Sequence, residues 1–167
     1  MNKEKEKKPI YKKWWAWLIV LVIIAAVKSG GGGGSSPTAR VALKDMAPNT
    51  SLSPKGELYE MFKLNSDNTD LQRDEKEDEI EGKVVQWTLP VYEVKKITDT
   101  RFKIQTNAGG GDDRGYVDTF CTISTDDADV ISKIKALKTG DKVTVKGEID
   151  GVSFRNINLN PCLLILE

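Results

Sequence analysis

The sequence contains no histidine among its 167 residues. That absence excludes histidine acid–base catalysis, serine–histidine nucleophiles and histidine-ligated metal sites. Only two cysteines are present, Cys121 and Cys162. They are too distant in sequence for a zinc knuckle, and the other ligands that a structural zinc needs are missing. The residues therefore predict a cysteine pair or two buried thiols, with no catalytic centre, no metal site and no cofactor.

The chain also has no excess of either charge. It contains 25 lysines and arginines and 25 aspartates and glutamates. The charge is nevertheless unevenly placed. Residues 1–28 contain seven lysines and two glutamates, a net charge of +5, which leaves −5 for the rest of the chain. An acidic body repels phosphates, whereas nucleic-acid-binding domains are usually basic. The distribution of charge therefore disfavours nucleic acid as a partner.

A wholly apolar stretch, residues 14–27, follows the basic segment 1–13. When the flanking lysines snorkel, a helix over residues 10–28 is about 28 Å long, close to the thickness of a bilayer's hydrocarbon core. Tryptophans beside the lysines fit an interfacial aromatic belt, and the lysine excess before the stretch predicts a cytoplasmic N-terminus. We therefore expect a single-pass transmembrane helix or signal anchor over 14–28 in a bacterial cytoplasmic membrane, with a periplasmic or extracellular body.

Cleavage of the same stretch as a signal peptide remains open, because Val27-Lys28-Ser29 is an acceptable small-residue cleavage site. A buried core helix is disfavoured, since the stretch has no polar side to turn to water. No cysteine lies near its end, which excludes lipoprotein attachment there. Both the anchor and the signal peptide place the remainder of the chain outside the cytoplasm.

Residues 29–53 are predicted to be a flexible linker that begins with a run of five glycines. No Lys-Ser or Lys-Thr follows that run, so it does not fit a phosphate-binding loop. Short helices are predicted over 54–80. One spans 54–64 with Ser53 as its N-cap, and another begins at the capping-box sequence Thr69-Asp70-Leu71-Gln72.

From Gly82 onwards the apolar residues recur with the period of β-strands. Pro90 predicts a bulge or a bend in the first strand, Gly151 a turn, and Ser124 or Thr125 the cap of a helix that ends near Lys138. Strands are predicted over 83–97, 101–106, 116–124, 142–149 and 153–166. Three strands, a helix and two strands form the order of the five-stranded oligonucleotide/oligosaccharide-binding (OB) barrel. The predicted fold class is thus mainly β, with an OB domain over 81–167.

The same region resembles a known family. The motifs are GKVVQW at 82–87, the cysteine of the third strand, LKTGDKVTVKGEI at 137–149 and NPCLLI at 160–165. They resemble the bacterial OB-fold proteins grouped by likeness to the tRNA-anticodon-binding domain, here as an exported, membrane-anchored member. The resemblance covers residues 82–166 and implies a fold more than a function, because its motifs are mostly fold-forming glycines and alternating apolar residues.

Closure of an OB barrel places the third strand beside the fifth, which brings Cys121 and Cys162 onto neighbouring strands. If both side chains point to the same face, their Cα atoms fall within disulfide range. Export supplies the oxidising compartment that such a bond needs. A disulfide is the favoured alternative, while two buried thiols or a metal pair stay open.

OB domains bind ligands on the face of strands two and three. On this chain that face would lie beneath the glycine-rich hairpin loop 107–115. It would present these residues: Arg101, Lys103, Gln105, Tyr116, Asp118 and Phe120. Cations and aromatic rings together can clamp and stack a single strand of nucleic acid. Two basic residues on a strand are also ordinary for a side that faces solvent.

We therefore expect a non-catalytic, membrane-tethered OB module that binds a protein, an envelope glycan or a small molecule outside the cytoplasmic membrane. The alternative is a domain that binds single-stranded nucleic acid on the same face. A third possibility is an enzyme that uses Asp112, Asp113 and Asp118 as carboxylates or metal ligands. It is disfavoured because acidic residues in a glycine-rich loop usually form solvated turns.

Overall fold

The computed structural model describes residues 37–106 and 116–166. The chain divides into two compact units, Met1–Gly33 and Gly34–Glu167, and every described residue belongs to the second. The predicted basic segment, the membrane-spanning stretch and the loop 107–115 lie outside the described residues. Among the residues that are described, none of the helices has the length and apolar character needed to cross a membrane.

Four helices and five strands follow one another along the described residues. They are α1 (Pro37–Asp45), α2 (Glu57–Phe62), α3 (Asp70–Ile80), β1 (Val84–Lys96), β2 (Arg101–Thr106), β3 (Thr119–Ser124), α4 (Ala128–Ala136), β4 (Lys142–Ser153) and β5 (Asn156–Ile165). The predicted order, with a helix between the third and fourth strands, is confirmed.

The strands close into a barrel in the order β1-β2-β3-β5-β4. β3 runs parallel to β5, and the other neighbouring strands are antiparallel. Strict alternation along β2 buries Phe102 and Ile104 in the barrel and leaves Arg101 and Lys103 partly exposed outside. The predicted OB-type barrel is therefore confirmed, and its outer side carries the residues that the sequence singled out.

β1 belongs to both halves of the barrel because it bends in the middle. Residues 84–90 pair with β4, while the residues from Val91 onwards pair with β2. The register shifts between Val91 and Glu93, directly after Pro90, which has no N–H to donate to a ladder. The predicted bulge near Pro90 is confirmed.

The helix α1 corrects the expectation of a flexible linker over 29–53 for the described part of that stretch, which begins at Pro37. It packs against β4 and β5, and Leu43 is 1% exposed. The Lys146 ammonium, on a residue only 6% exposed, donates to the Lys44 carbonyl at 2.8 Å. A cation is favourable at the C-terminal end of a helix, where carbonyl groups lack partners. Packing and this hydrogen bond together order a segment whose sequence predicted none.

Beyond α1 the chain stays in contact with the barrel. The Asn49 N–H donates to the Val84 carbonyl at 2.7 Å, and the Trp87 indole N–H donates to the Leu52 carbonyl at 2.9 Å. The linker prediction is therefore wrong for this stretch as well.

Two helix boundaries also differ from prediction. The helix expected over 54–64 begins at Glu57 and ends at Phe62, because the Pro54 carbonyl accepts from the Val117 N–H at 2.6 Å and lies outside the helix. The helix between β3 and β4 is capped by Asp127, whose carboxylate accepts from the Asp129 N–H at 2.9 Å. The predicted caps at Ser53 and at Ser124 or Thr125 are wrong.

The capping box predicted at the start of the following helix is confirmed. The Gln72 N–H donates to Thr69 Oγ1 at 3.3 Å, and the Thr69 N–H donates to Gln72 Oε1 at 2.8 Å. Thr69 is therefore the N-cap of α3.

The hairpin between β4 and β5 turns later than predicted. Gly151 lies inside β4 rather than at the turn, with φ of 116°, and a Cβ there would lie 2.8 Å from Glu77 Oε1. The same carboxylate accepts from the Val152 N–H at 2.6 Å. The turn falls at Phe154 and Arg155, both with positive φ. Gly151 therefore serves the close approach of α3 to β4.

A disulfide joins Cys121 to Cys162 inside the barrel. Their Cα atoms are 5.6 Å apart, and both side chains are fully buried. β4 passes beside this bond at Gly147, where a Cβ would lie 2.8 Å from Leu159 Cβ and 3.3 Å from Cys162 Sγ. The favoured alternative for the two cysteines is confirmed, and Gly147 leaves room for it.

Candidate binding face

The outer side of β2 and β3, with its neighbours on β1 and β5, forms rows of side chains set by strand register. Gln105 lies opposite Phe120, and Phe120 lies opposite Asn158 of β5. In the adjacent row Lys103 lies between Lys95 of β1 and Thr122 of β3. We call this surface the β2–β3 face and define it by these residues: Lys95, Arg101, Lys103, Gln105, Phe120, Thr122 and Asn158.

Lys103 and Phe120 are the central pair of the face. Lys103 lies opposite Thr122, so Phe120 is its diagonal neighbour on β3. The Lys103 Nζ is 3.7 Å from the centroid of the Phe120 ring. This cation–π contact holds the ammonium group in place. It also covers one side of the ring, so that a planar ligand group stacks on that side only by displacing the lysine.

Arg101 lies at the end of the face, opposite Ser124. Its Nε is buried and makes no hydrogen bond, which costs free energy because the group has lost water without gaining an acceptor. Within the described part of the chain, neither Arg101 nor Lys103 takes part in an ion pair. Both cations therefore keep their charge available to a ligand.

Tyr116 and Asp118 lie beyond the rows of the face, just before β3 begins. The Tyr116 ring is 4.4 Å from Lys55 Nζ, and the Asp118 carbonyl accepts from the Ile157 N–H at 2.9 Å. The structure therefore brings together Arg101, Lys103, Gln105 and Phe120 among the predicted site residues, and it places Tyr116 and Asp118 at the edge. The loop expected above them, with Asp112 and Asp113, lies outside the described residues.

Sequence reasoning missed Lys95 and Asn158. Lys95 joins the face because the irregularity after Pro90 sets which side chains of β1 turn outward. Asn158 joins through the parallel pairing of β5 with β3. The order of strands in an OB barrel could have predicted Asn158, since that order places β5 beside β3.

Two other kinds of site could support chemistry, namely a metal site and a carboxyl group with a shifted pKa. Across residues 37–106 and 116–166 there is no group of three or more histidine, cysteine, aspartate or glutamate side chains placed to hold a metal ion. Glu148 on β4 is half-buried, and burial, followed by the charge of Asp150, raises the pKa of its carboxyl. Val84 of β1 lies opposite it, so Glu148 is not part of the β2–β3 face.

Comparison with protein families matches residues 1–163 to the family described as tRNA_anti-like. Comparison with curated proteins yields no match.

Comparison with solved structures also finds similar chains. The chain is similar to the asparaginyl-tRNA synthetase of Entamoeba histolytica, with 16% identity, a TM-score of 0.37, and coverage of 51% of this chain and 21% of that one. It is also similar to a lipoprotein of Klebsiella pneumoniae subsp. pneumoniae whose nucleic-acid binding is provisionally assigned, with 14% identity, a TM-score of 0.43, and coverage of 80% and 100%. The chain thus spans about a fifth of the synthetase's length, at 21%.

Proposed function

Because this chain belongs to the tRNA_anti-like family, we propose that its OB barrel is a non-catalytic binding module. It is tethered to the cytoplasmic membrane through residues 10–28 and acts outside that membrane. Its ligand is a protein, an envelope glycan or a small molecule, and it binds at the β2–β3 face.

The observation that carries this proposal is the meeting of a cation, an aromatic ring and two amides in adjacent rows of the barrel. Lys103 contributes the cation, Phe120 the ring, and Gln105 and Asn158 the amides. An ammonium donates hydrogen bonds, and an amide both donates and accepts them, while the ring provides an apolar contact. Such a combination suits recognition of a polar ligand.

The scaffold beneath supports a preformed site. Cys121 lies between Phe120 and Thr122 on β3, and its disulfide to Cys162 ties β3 to β5 directly under the face. Binding groups on rigid strands lose little entropy when a ligand arrives. The disulfide thus supports both a rigid face and the location, since such bonds persist in oxidising compartments.

The intact mass of the protein extracted from membranes tests the location. We expect the full-chain mass lacking two hydrogens, because the anchor is retained and the disulfide is formed. A mass that corresponds to a chain beginning after residue 28 would show that a signal peptide has been cleaved. That result would contradict the tether. A fully reduced protein would contradict the oxidising compartment.

Retention of envelope material tests the site. Immobilised full-length protein in detergent is incubated with envelope extract, and the retained material is compared between the wild type and the double variant Lys103→Ala, Phe120→Ala. We expect the double variant to lose retention. Gln86→Ala, an exposed position of β1 on the side that pairs with β4, is the matched control and should retain as the wild type does. Equal retention by the double variant would contradict the proposed face.

A further inference from the structure

The β2–β3 face continues onto β1 as a patch of cations. Lys95 lies directly opposite Lys103, and Arg101 lies two residues from Lys103 on the same side of β2. We call these three residues the cationic patch. Like charges directly opposite each other on neighbouring strands destabilise a sheet. The Lys95–Lys103 pair therefore lowers the stability of the barrel.

Among the described residues, the three cations of the patch have no carboxylate partner, a property that they share with Lys133 and Lys142 but not with five other cations. Lys96 pairs with Asp99 at 2.5 Å, and Lys76 pairs with Glu57 at 2.7 Å. Within the stretch that the structure describes, no ion pair includes Lys95, Lys103 or Arg101.

One acidic residue lies on the same side of β1. It is Glu93, opposite Gln105 in the next row, and Asp118 lies at the edge of the face, so three cations stand against two carboxylates. Residues 29–167 carry a net −5, which makes a locally positive surface on this body stand out. An anionic ligand would complement it.

Arg101 adds a hydrogen-bond donor that has no acceptor. Its Nε is buried without an acceptor, and hydrogen bonds from guanidinium to carboxylate or phosphate oxygens are among the strongest in proteins. Because this Nε is buried, a ligand oxygen reaches it only if the arginine side chain moves. Arg101 therefore contributes to the patch through the positive charge of its guanidinium group.

Resting on the proposed function, we infer that the ligand is an anionic polysaccharide. Its carboxylate or phosphodiester groups bind Lys95, Lys103 and Arg101, and its hydroxyl groups bind the amides of Gln105 and Asn158. Nucleic acid fits less well, because single-stranded binding depends on bases stacking on open aromatic faces. At Phe120, Lys103 covers one side of the ring at 3.7 Å.

Titration of the full-length protein in detergent against four probes tests the inference. The probes are polygalacturonate for carboxylates, polyribosylribitol phosphate for phosphodiesters, neutral dextran and an oligothymidylate. We expect binding to one or both anionic polymers and weaker binding as salt is added, because exposed charges are screened. Which of the two polymers binds distinguishes the sources of the anion.

Matched variants locate the binding. The double variant Lys95→Gln, Lys103→Gln should weaken polymer binding about tenfold, the order expected for two exposed charge contacts. Lys133→Gln with Lys142→Gln removes the same charge from two exposed lysines of α4 and β4, and should bind as the wild type does. The patch variant should unfold near the temperature of the wild type, because loss of the Lys95–Lys103 repulsion and loss of the Lys103–Phe120 cation–π contact act in opposite directions.

Other results would overturn the inference. They are equal binding of dextran, equal loss in both lysine variants, preference for the oligothymidylate, or binding of no probe. Envelope retention that still depends on Phe120 would then leave the proposed function standing with a ligand of another class. Loss of that dependence would remove the face itself.

Discussion

Lys103 is held in place by its own neighbours on the barrel, as the proposed binding role requires. Its register opposite Thr122 and its contact with the Phe120 ring, at 3.7 Å, fix the ammonium group. A long lysine side chain otherwise loses rotamer freedom when a ligand orders it. The cation–π contact has already removed part of that freedom, which lowers the cost of binding.

Glu148 allows a prediction about pH. Burial and then the charge of Asp150 raise the pKa of its carboxyl in the folded protein. A carboxyl whose pKa is higher folded than unfolded disfavours the folded state once it ionises, and this penalty disappears as the pH falls below the ordinary value of 4.5. Glu148→Gln should therefore raise the unfolding temperature near neutral pH, with the gain vanishing in acid.

Thermal unfolding of both proteins across that pH range checks the prediction. Glu75→Gln, at an exposed position of α3, serves as the control for the loss of one surface charge. A gain for Glu148→Gln that increases as the solution becomes more acidic would show that the direction of the pKa shift is wrong.

At the scale of elements, α1 is ordered by packing rather than by its own sequence. Leu43 is buried, whereas Val41 in the same helix is 65% exposed. Leu43→Ala should destabilise the protein by about 2–4 kcal/mol, the usual cost of emptying a buried leucine site. Val41→Ala should change stability by less than about 0.5 kcal/mol. Denaturant unfolding of the two variants measures the difference, and equal stabilities would mean that this segment is a flexible linker.

The disulfide links β3 and β5 across 41 residues of sequence. Closing a loop of that length stabilises a folded domain by about 4 kcal/mol in the chain-entropy description. The double variant Cys121→Ser, Cys162→Ser should lose about 3–5 kcal/mol in denaturant unfolding, and reduction of the wild type should have a comparable effect that reoxidation reverses. Unchanged stability in both experiments would contradict a structural role for the bond.

The order of the elements could be predicted because the apolar period changes from that of helices to that of strands at Gly82. The turn after β4 could not. Phe154 and Arg155 adopt positive φ, which bulky residues rarely do. A tertiary contact accompanies this conformation, since Arg155 donates to the Lys63 carbonyl at 2.7 Å. Contacts between segments distant in sequence decide such positions.

The candidate site likewise contains residues that the sequence predicted and residues that it did not. Alternation along β2 and β3 was enough to select Lys103, Gln105 and Phe120, because neighbouring side chains on one strand face follow from a period of two. Lys95 depends on the irregularity in β1, and Asn158 depends on the partner of β3. Register between strands therefore determines the part of the face that sequence reasoning missed.

At the scale of the whole molecule, charge is distributed unevenly over the barrel domain. The chain beyond residue 28 carries a net −5, while Lys95, Arg101 and Lys103 gather on one face without carboxylate partners among the described residues. Such a field steers an anionic ligand towards one side of the domain and repels it from the rest. The uneven charge therefore favours the approach of an anion to the β2–β3 face.

The central claim is that the β2–β3 face binds the ligand, and lysine acylation read by mass spectrometry tests it most directly. The full-length protein is labelled with and without an envelope polysaccharide fraction. We predict that the fraction slows acylation of Lys95 and Lys103, while the exposed Lys133 and Lys142 react as before. Protection of Lys133 or Lys142 with no change at Lys95 and Lys103 would contradict the claim.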